Sequence, residues 1–237
     1  MKKYEMTDEI KVVNGVTLHR IKALISFDGV EKGELGGFVE KEENLSQEGN
    51  AWLYKEACVL GNARVSDNAK VYACICDNAK VYGNAKVRRN AKVYGNAMVY
   101  GNAVVRHNAR VLGNAQVHDN AQISNNAVVC YYARVYGNAR VYDDAQVYGN
   151  AQVYGNANVH DKATVYNSAQ VYGSAHLFGN VQVYGNAKVY DNAMMWDNAQ
   201  VYGNVMVYGN AVVCDDAHVC SDSTLEGNDK VYGNVII

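Results

Sequence analysis

From Ile75 to Ile237 an aliphatic residue, or Met195, recurs at every sixth position without one insertion. The unit reads V-Y-G-N-A-x, as in Val81-Tyr82-Gly83-Asn84-Ala85-Lys86. Alanine stands two residues before each aliphatic, replaced at Val181, Val205, Ser223, Asp229 and Val235. In an extended strand, residues two apart share a face. Ala and Val therefore point inward, and the residue between them points outward with the Tyr. Gly and Asn tolerate left-handed backbone, so the Gly-Asn pair makes a corner. One such strand buries too little apolar surface to stand alone. Stacking rungs about 4.8 Å apart pairs each backbone with its neighbours and hides the Val row. The repeat predicts an all-β chain coiled into a single-stranded parallel β-helix.

The number of strands per coil is written in the outward positions. Taking the residue after each aliphatic at every third repeat gives three columns, with 5, 7 and 2 tyrosines in nine positions. Glycine at the following corner runs 5, 7 and 2 in the same order. A period of eighteen thus lies over the period of six, which predicts a triangular section with three hexapeptides per coil. The repeat continues upstream at Leu53, Val59, Val65 and Val71, giving about ten coils in all. Between Val71 and Ile75 two residues are missing, so that corner must be tighter. Residues 51–237 are read as the helix and residues 1–50, which lack the repeat, as a small N-terminal β cap. In the cap, Lys11 to Leu18 reads as a hairpin with an Asn14-Gly15 turn, and Gly33 to Asn44 as a charged loop. The end at Val231, Val235, Ile236 and Ile237 reads as an unpaired apolar rung and hence as an oligomer interface, for a dimer or a trimer.

Composition narrows the classes. The formal net charge of −2 argues against nucleic acid as the partner. No stretch approaches the roughly 20 apolar residues of a membrane span, and Met1 to Asp8 is no signal-peptide core. Six cysteines without a C-x-x-C pair or metal spacing read as reduced thiols in the cytoplasm. No histidine triad forms within the chain, so no metal, no cofactor and no catalytic residue is expected.

The pattern aliphatic-x-x-Asn-Ala-x over residues 53–237 resembles the hexapeptide-repeat family, which implies a left-handed coil. The dense N-A-x-V-Y-G consensus is similar to the YdcK-type branch, described as transferases. Leu18 to Leu24 and Gly33 to Glu40 resemble caps of phage and prophage proteins, which implies the host's cytoplasm as the location of a phage-encoded protein. The wider family implies acyltransferases, commonly trimeric, with a histidine between subunits and a loop excursion shaping the donor site. This chain has no such excursion from Ile75 onward and no C-terminal helix. Without concave walls, two substrates are hard to position and water is hard to exclude.

Charge is the sharper signal. Residues 80–140 hold nine Lys or Arg and one acid, whereas residues 141–229 hold ten acids and two bases. At the corner after the third column, Arg88, Arg89 and Lys92 stack on Arg106, His107 and Arg110 as a basic ridge. Further along, the same corner carries Asp143, Asp144, Asp161, Asp197, Asp215 and Asp216. The third column itself supplies Tyr142, His160, Phe178 and Trp196, with Met194 beside Trp196. The Tyr columns of the other faces read as structural ladders. Ridge and aromatic column together suggest a binding surface for a protein or for an anionic, phosphate-bearing ligand. The leading expectation is a non-catalytic binding or assembly protein. The alternatives are an acyltransferase with sites between protomers and a structural protein joining end to end.

Overall fold

The computed structural model describes residues 1–237. It opens with β1 (Tyr4–Val13), β2 (Val16–Ala23) and β3 (Leu35–Val39), followed by a single 3-10 turn at Glu42–Asn44. Thereafter every strand has two residues, from Trp52–Leu53 to Lys230–Val231. These short strands fall into three parallel sheets, the faces of a prism. The first face runs from β3 through Cys58–Val59 to His218–Val219, the second from Arg64–Val65 to Thr224–Leu225, and the third from Trp52–Leu53 to Lys230–Val231. Each strand pairs with the one eighteen residues on, as Val87 with Val105 and Val105 with Ile123. Three pairings span sixteen instead, namely Val59 with Ile75, Val65 with Val81 and Val71 with Val87. They bracket the shortened corner. The third face carries eleven rungs, so the solenoid makes about eleven turns.

The inward Ala and Val positions are closed to solvent from Ala79 to Val219. The corner explains the rest of the consensus. Its apex residue has a positive φ, 66° at Gly83, and a Cβ there would lie 2.9 Å from the Gly101 nitrogen one coil on. The next position builds a ladder, because an asparagine amide donates to one coil and accepts from the other. Asn84 donates to Asn102, Asn102 to Asn120 and Asn120 to Asn138, at 3.0–3.1 Å. An aspartate can only accept, and ladders end on Asp144, Asp216 and Asp222.

The cap keeps the hairpin, with Asn14 and Gly15 at φ 53° and 80°, as a tight turn between antiparallel β1 and β2 requires. The segment read as a charged loop differs. Leu35–Val39 is a strand, antiparallel to β2 and parallel to Cys58–Val59. It joins the antiparallel cap to the parallel solenoid. Its glycines, which suggest a loop in the sequence, are there for contact: a Cβ on Gly36 would sit 2.7 Å from Ile21 and from Trp52. The Lys3 ammonium, almost wholly buried, donates to the carbonyls of Glu48, Gly49 and Ala51 beneath the cap. No helix is long and apolar enough to cross a membrane.

Candidate functional site: a basic notch on the third face

The two-residue deletion has a geometric result. A full corner carries an apex and an Asn position, but here Tyr72 is followed directly by Ala73 and then by the strand Cys74–Ile75. The missing apex leaves a recess of about 380 Å³ lined by Lys55, Tyr72, Arg88 and Arg89. Lys55 is the apex one rung above and Arg89 the apex one rung below, with φ 55° and 60°. Tyr72 stacks on Tyr54 at 4.3 Å, and the Arg88 guanidinium lies over the Tyr72 ring, 5.9 Å from its centre. Tyr72 is thus held between an aromatic ring and a cation, and three positive side chains converge on one notch.

Below the notch the ridge continues as the sequence suggests. Lys92 and Arg110 are directly paired in register on adjacent rungs of the first face, and Arg88 donates its backbone N–H to Val105, one residue before Arg106. Arg88, Arg89, Lys92, Arg106 and Arg110 are exposed, and none comes within 4.0 Å of a carboxylate. Like charges on adjacent rungs repel, so the ridge costs stability unless an anion occupies it. His107 stands apart from this set: its Nδ1 is buried and unpartnered. A larger open depression of about 780 Å³ lies between the 3-10 turn and the second face, lined among others by Glu43, Arg64 and Lys80. Its charges are of both signs, and it lacks the notch's convergence of cations.

The acidic corner has a different explanation. Asp143, Asp161, Asp197 and Asp215 are apex residues with φ 56–58°. Asp161 and Asp215 accept the N–H of Gly179 and Gly233 one coil on, as Asp67, Asp77 and Asp119 do for Gly83, Gly95 and Gly137. Asp144 and Asp216 terminate asparagine ladders. All of these carboxylates but that of Asp197 accept a hydrogen bond at a corner.

The aromatic column is continuous. Tyr142 stacks on His160 at 4.6 Å, His160 on Phe178 at 5.5 Å and Phe178 on Trp196 at 5.8 Å, all half-buried, with Met194 exposed beside them. The structure also groups Asp143, His160 and Asp161, whose ligand atoms lie within 4.8 Å of one another. A His and two carboxylates can hold a divalent cation, a grouping missed by a sequence search for histidine triads. Each carboxylate, however, is already engaged at the corner, Asp143 by Asn125 at 2.7 Å and Asp161 by Gly179 at 3.0 Å.

On the second face, Tyr82 and Tyr100 stack at 4.9 Å, and Tyr136, Tyr154 and Tyr172 follow at 4.8 Å. The Tyr136 and Tyr154 hydroxyls donate to Gln152 and Gln170 one coil on. Desolvation, with neighbouring phenols, pushes the Tyr154 pKa up to about 12. These rings are spent on one another. At the far end Val231 is half-buried, while Val235, Ile236 and Ile237 are exposed, and a bridge from His218 to Ile236 pairs this segment with the first face.

Fold and corners define a parallel β-solenoid of hexapeptide repeats. Parts of it are similar to YdcK repeats: a family model described as "YdcK Beta solenoid repeat" matches residues 91–106, 133–149, 145–161 and 199–215. A relative from Escherichia coli (strain K12), described as "Uncharacterized acetyltransferase YdcK", is 32% identical over 80 residues. The match covers 30% of this chain and 24% of the relative, so the chain spans about a quarter of that protein's length.

Proposed function

We propose that this solenoid is a non-catalytic binding scaffold whose notch and ridge take a phosphate-bearing anion. The observation that carries the reading is the convergence of Lys55, Arg88 and Arg89 on a corner from which two residues are missing. Planar guanidinium groups pair phosphate oxygens two at a time, and the sheet below holds their backbones rigid. The lining contains cations and one phenol, with no carboxylate or imidazole to act as a general base. From Arg88 to Tyr142 is three rungs, about 14 Å. A small ligand in the notch therefore leaves the aromatic column free for a separate contact, such as a protein surface.

A second reading, acetyl transfer, rests on the relative's description. Acetyl-coenzyme A also bears phosphates, so the two readings share the ridge and differ in turnover. Calorimetric titration with inorganic pyrophosphate and with acetyl-coenzyme A separates them. Binding should weaken as salt is raised. The double substitution Arg88→Ala, Arg106→Ala should weaken it at least about tenfold, because charged hydrogen bonds contribute about 1.5–3 kcal/mol each. Trp196→Ala should leave it unchanged. Release of free coenzyme A thiol in the presence of an amine acceptor would favour the second reading. Binding indifferent to both salt and the Arg substitutions would rule out the ridge.

A further inference from the structure

The deletion also brings thiols together. Cys58 and Cys74 occupy the same repeat position on consecutive coils of the first face, and they are register partners because that coil has sixteen residues. Cys76 follows two residues later on the same face. All six cysteines are unbridged, with Cys58 buried and Cys74 and Cys76 half-buried. The hairpin tip lies over them: Cys58 packs with Leu18, Phe38 and Leu60, and Val13, Val16, Cys74 and Cys76 pack against that cluster. The rung spacing of about 4.8 Å falls within the Cα separations that disulfides span.

We propose that Cys74 and Cys58 form an oxidisable dithiol that closes to a disulfide on reaction with a peroxide. The charges around the pair favour Cys74 as the attacking thiol. The neighbouring Cys76 thiol, with Lys92 and Lys11, pulls the Cys74 pKa down, against burial and Asp77. The Cys74 thiol beside it, burial and the adjacent Asp77 push Cys76 up. Cys58 is pushed up by burial, against the pull of Lys11, and its thiol donates to the Glu56 carbonyl at 3.3 Å. The remaining charged groups here are Glu56 and Arg20, which pair with each other, while Lys11 also pairs with Glu56.

The chemistry balances with hydrogen peroxide as oxidant. The Cys74 thiolate attacks one oxygen, forming S–O and breaking O–O, and the departing hydroxide takes a proton to become water. The Cys58 sulfur then attacks the sulfenic sulfur, forming S–S and breaking S–O. The second hydroxide leaves with the Cys58 proton as water. Two thiols lose two electrons and one peroxide becomes two waters.

The test uses the full chain, treated with hydrogen peroxide, alkylated, digested and mapped by mass spectrometry. The expected result is loss of two titratable thiols of the six, with a Cys58–Cys74 linked peptide. In the untreated protein, iodoacetamide should modify Cys74 with a midpoint below the roughly 8.5 of an ordinary thiol. Six thiols remaining after peroxide, a linkage between other cysteines, or a Cys74 profile matching that of Cys130, which burial pushes up, would each overturn the proposal. The alkylation profile needs no variant, so a misfolding substitution would not shelter it.

Discussion

Replacing Val147 by aspartate should prevent the solenoid from folding. Val147 is closed to solvent and pairs with Val129 on one side and Val165 on the other. A carboxylate there faces an interior lined by Ala and Val, with no donor within the triangle. Burying an unpaired charge costs several kcal/mol even after relaxation. Because each rung contacts only its neighbours, the loss cannot be spread over distant coils. The expected outcome is insoluble protein, or a melt that splits into separate transitions above and below the lesion. Gln146→Asp supplies the control, since Gln146 is exposed one residue away and should stay within about 0.5 kcal/mol of wild type. A soluble Val147→Asp protein with one cooperative melt would mean that the inward register is wrong.

The second large effect is expected at Gly37, where β3 meets the first coil. A Cβ there would lie 2.4 Å from the Ala57 carbonyl oxygen and 3.0 Å from the Leu53 Cβ. That carbonyl accepts the Phe38 N–H at 2.8 Å, so backbone on both sides would have to move. Overpacking costs typically about 1–3 kcal/mol, and a clash with fixed backbone belongs at the upper end. Gly37→Ala should lower the midpoint of denaturant unfolding and loosen the cap. Trp52, wholly buried beneath the cap, would then become exposed, read as a red shift in fluorescence and faster proteolysis within residues 1–50. Gly33→Ala is the contrast: nothing lies within 4 Å of its Cβ position, and its φ of 90° adds conformational strain alone. Equal stability of Gly37→Ala and wild type would remove the case for β3 as the joint between cap and solenoid.

These two sites mark how far the chain could be read from its residues. The core was legible because the same Ala and Val fill it rung after rung, and the eighteen-residue period sets three faces. β3 was not legible, since Leu35-Gly36-Gly37-Phe38-Val39 has the composition of a loop, and its glycines make sense only against Trp52 and Ala57. The acidic corner was visible as a charge block but not as carboxylates that accept the N–H of a glycine one coil on. For the notch, both signals were in the sequence, a deletion and a run of cations. What was missing was the register that puts Lys55, Tyr72 and Arg88 around the gap. The thiol pair was hidden for the same reason, because Cys58 meets Cys74 only once the coil is counted as sixteen residues.

The ridge claim is tested most directly by following the arginine Nε–H resonances during titration with inorganic pyrophosphate. Each arginine reports on its own position, and Arg64 and Arg134 on the second face serve as internal references. The account predicts saturable shifts at Arg88, Arg89 and Arg106, with Arg64 and Arg134 unmoved, and reversal on raising the salt. Shifts of equal size at all arginines, or none at Arg88 and Arg106, would contradict it.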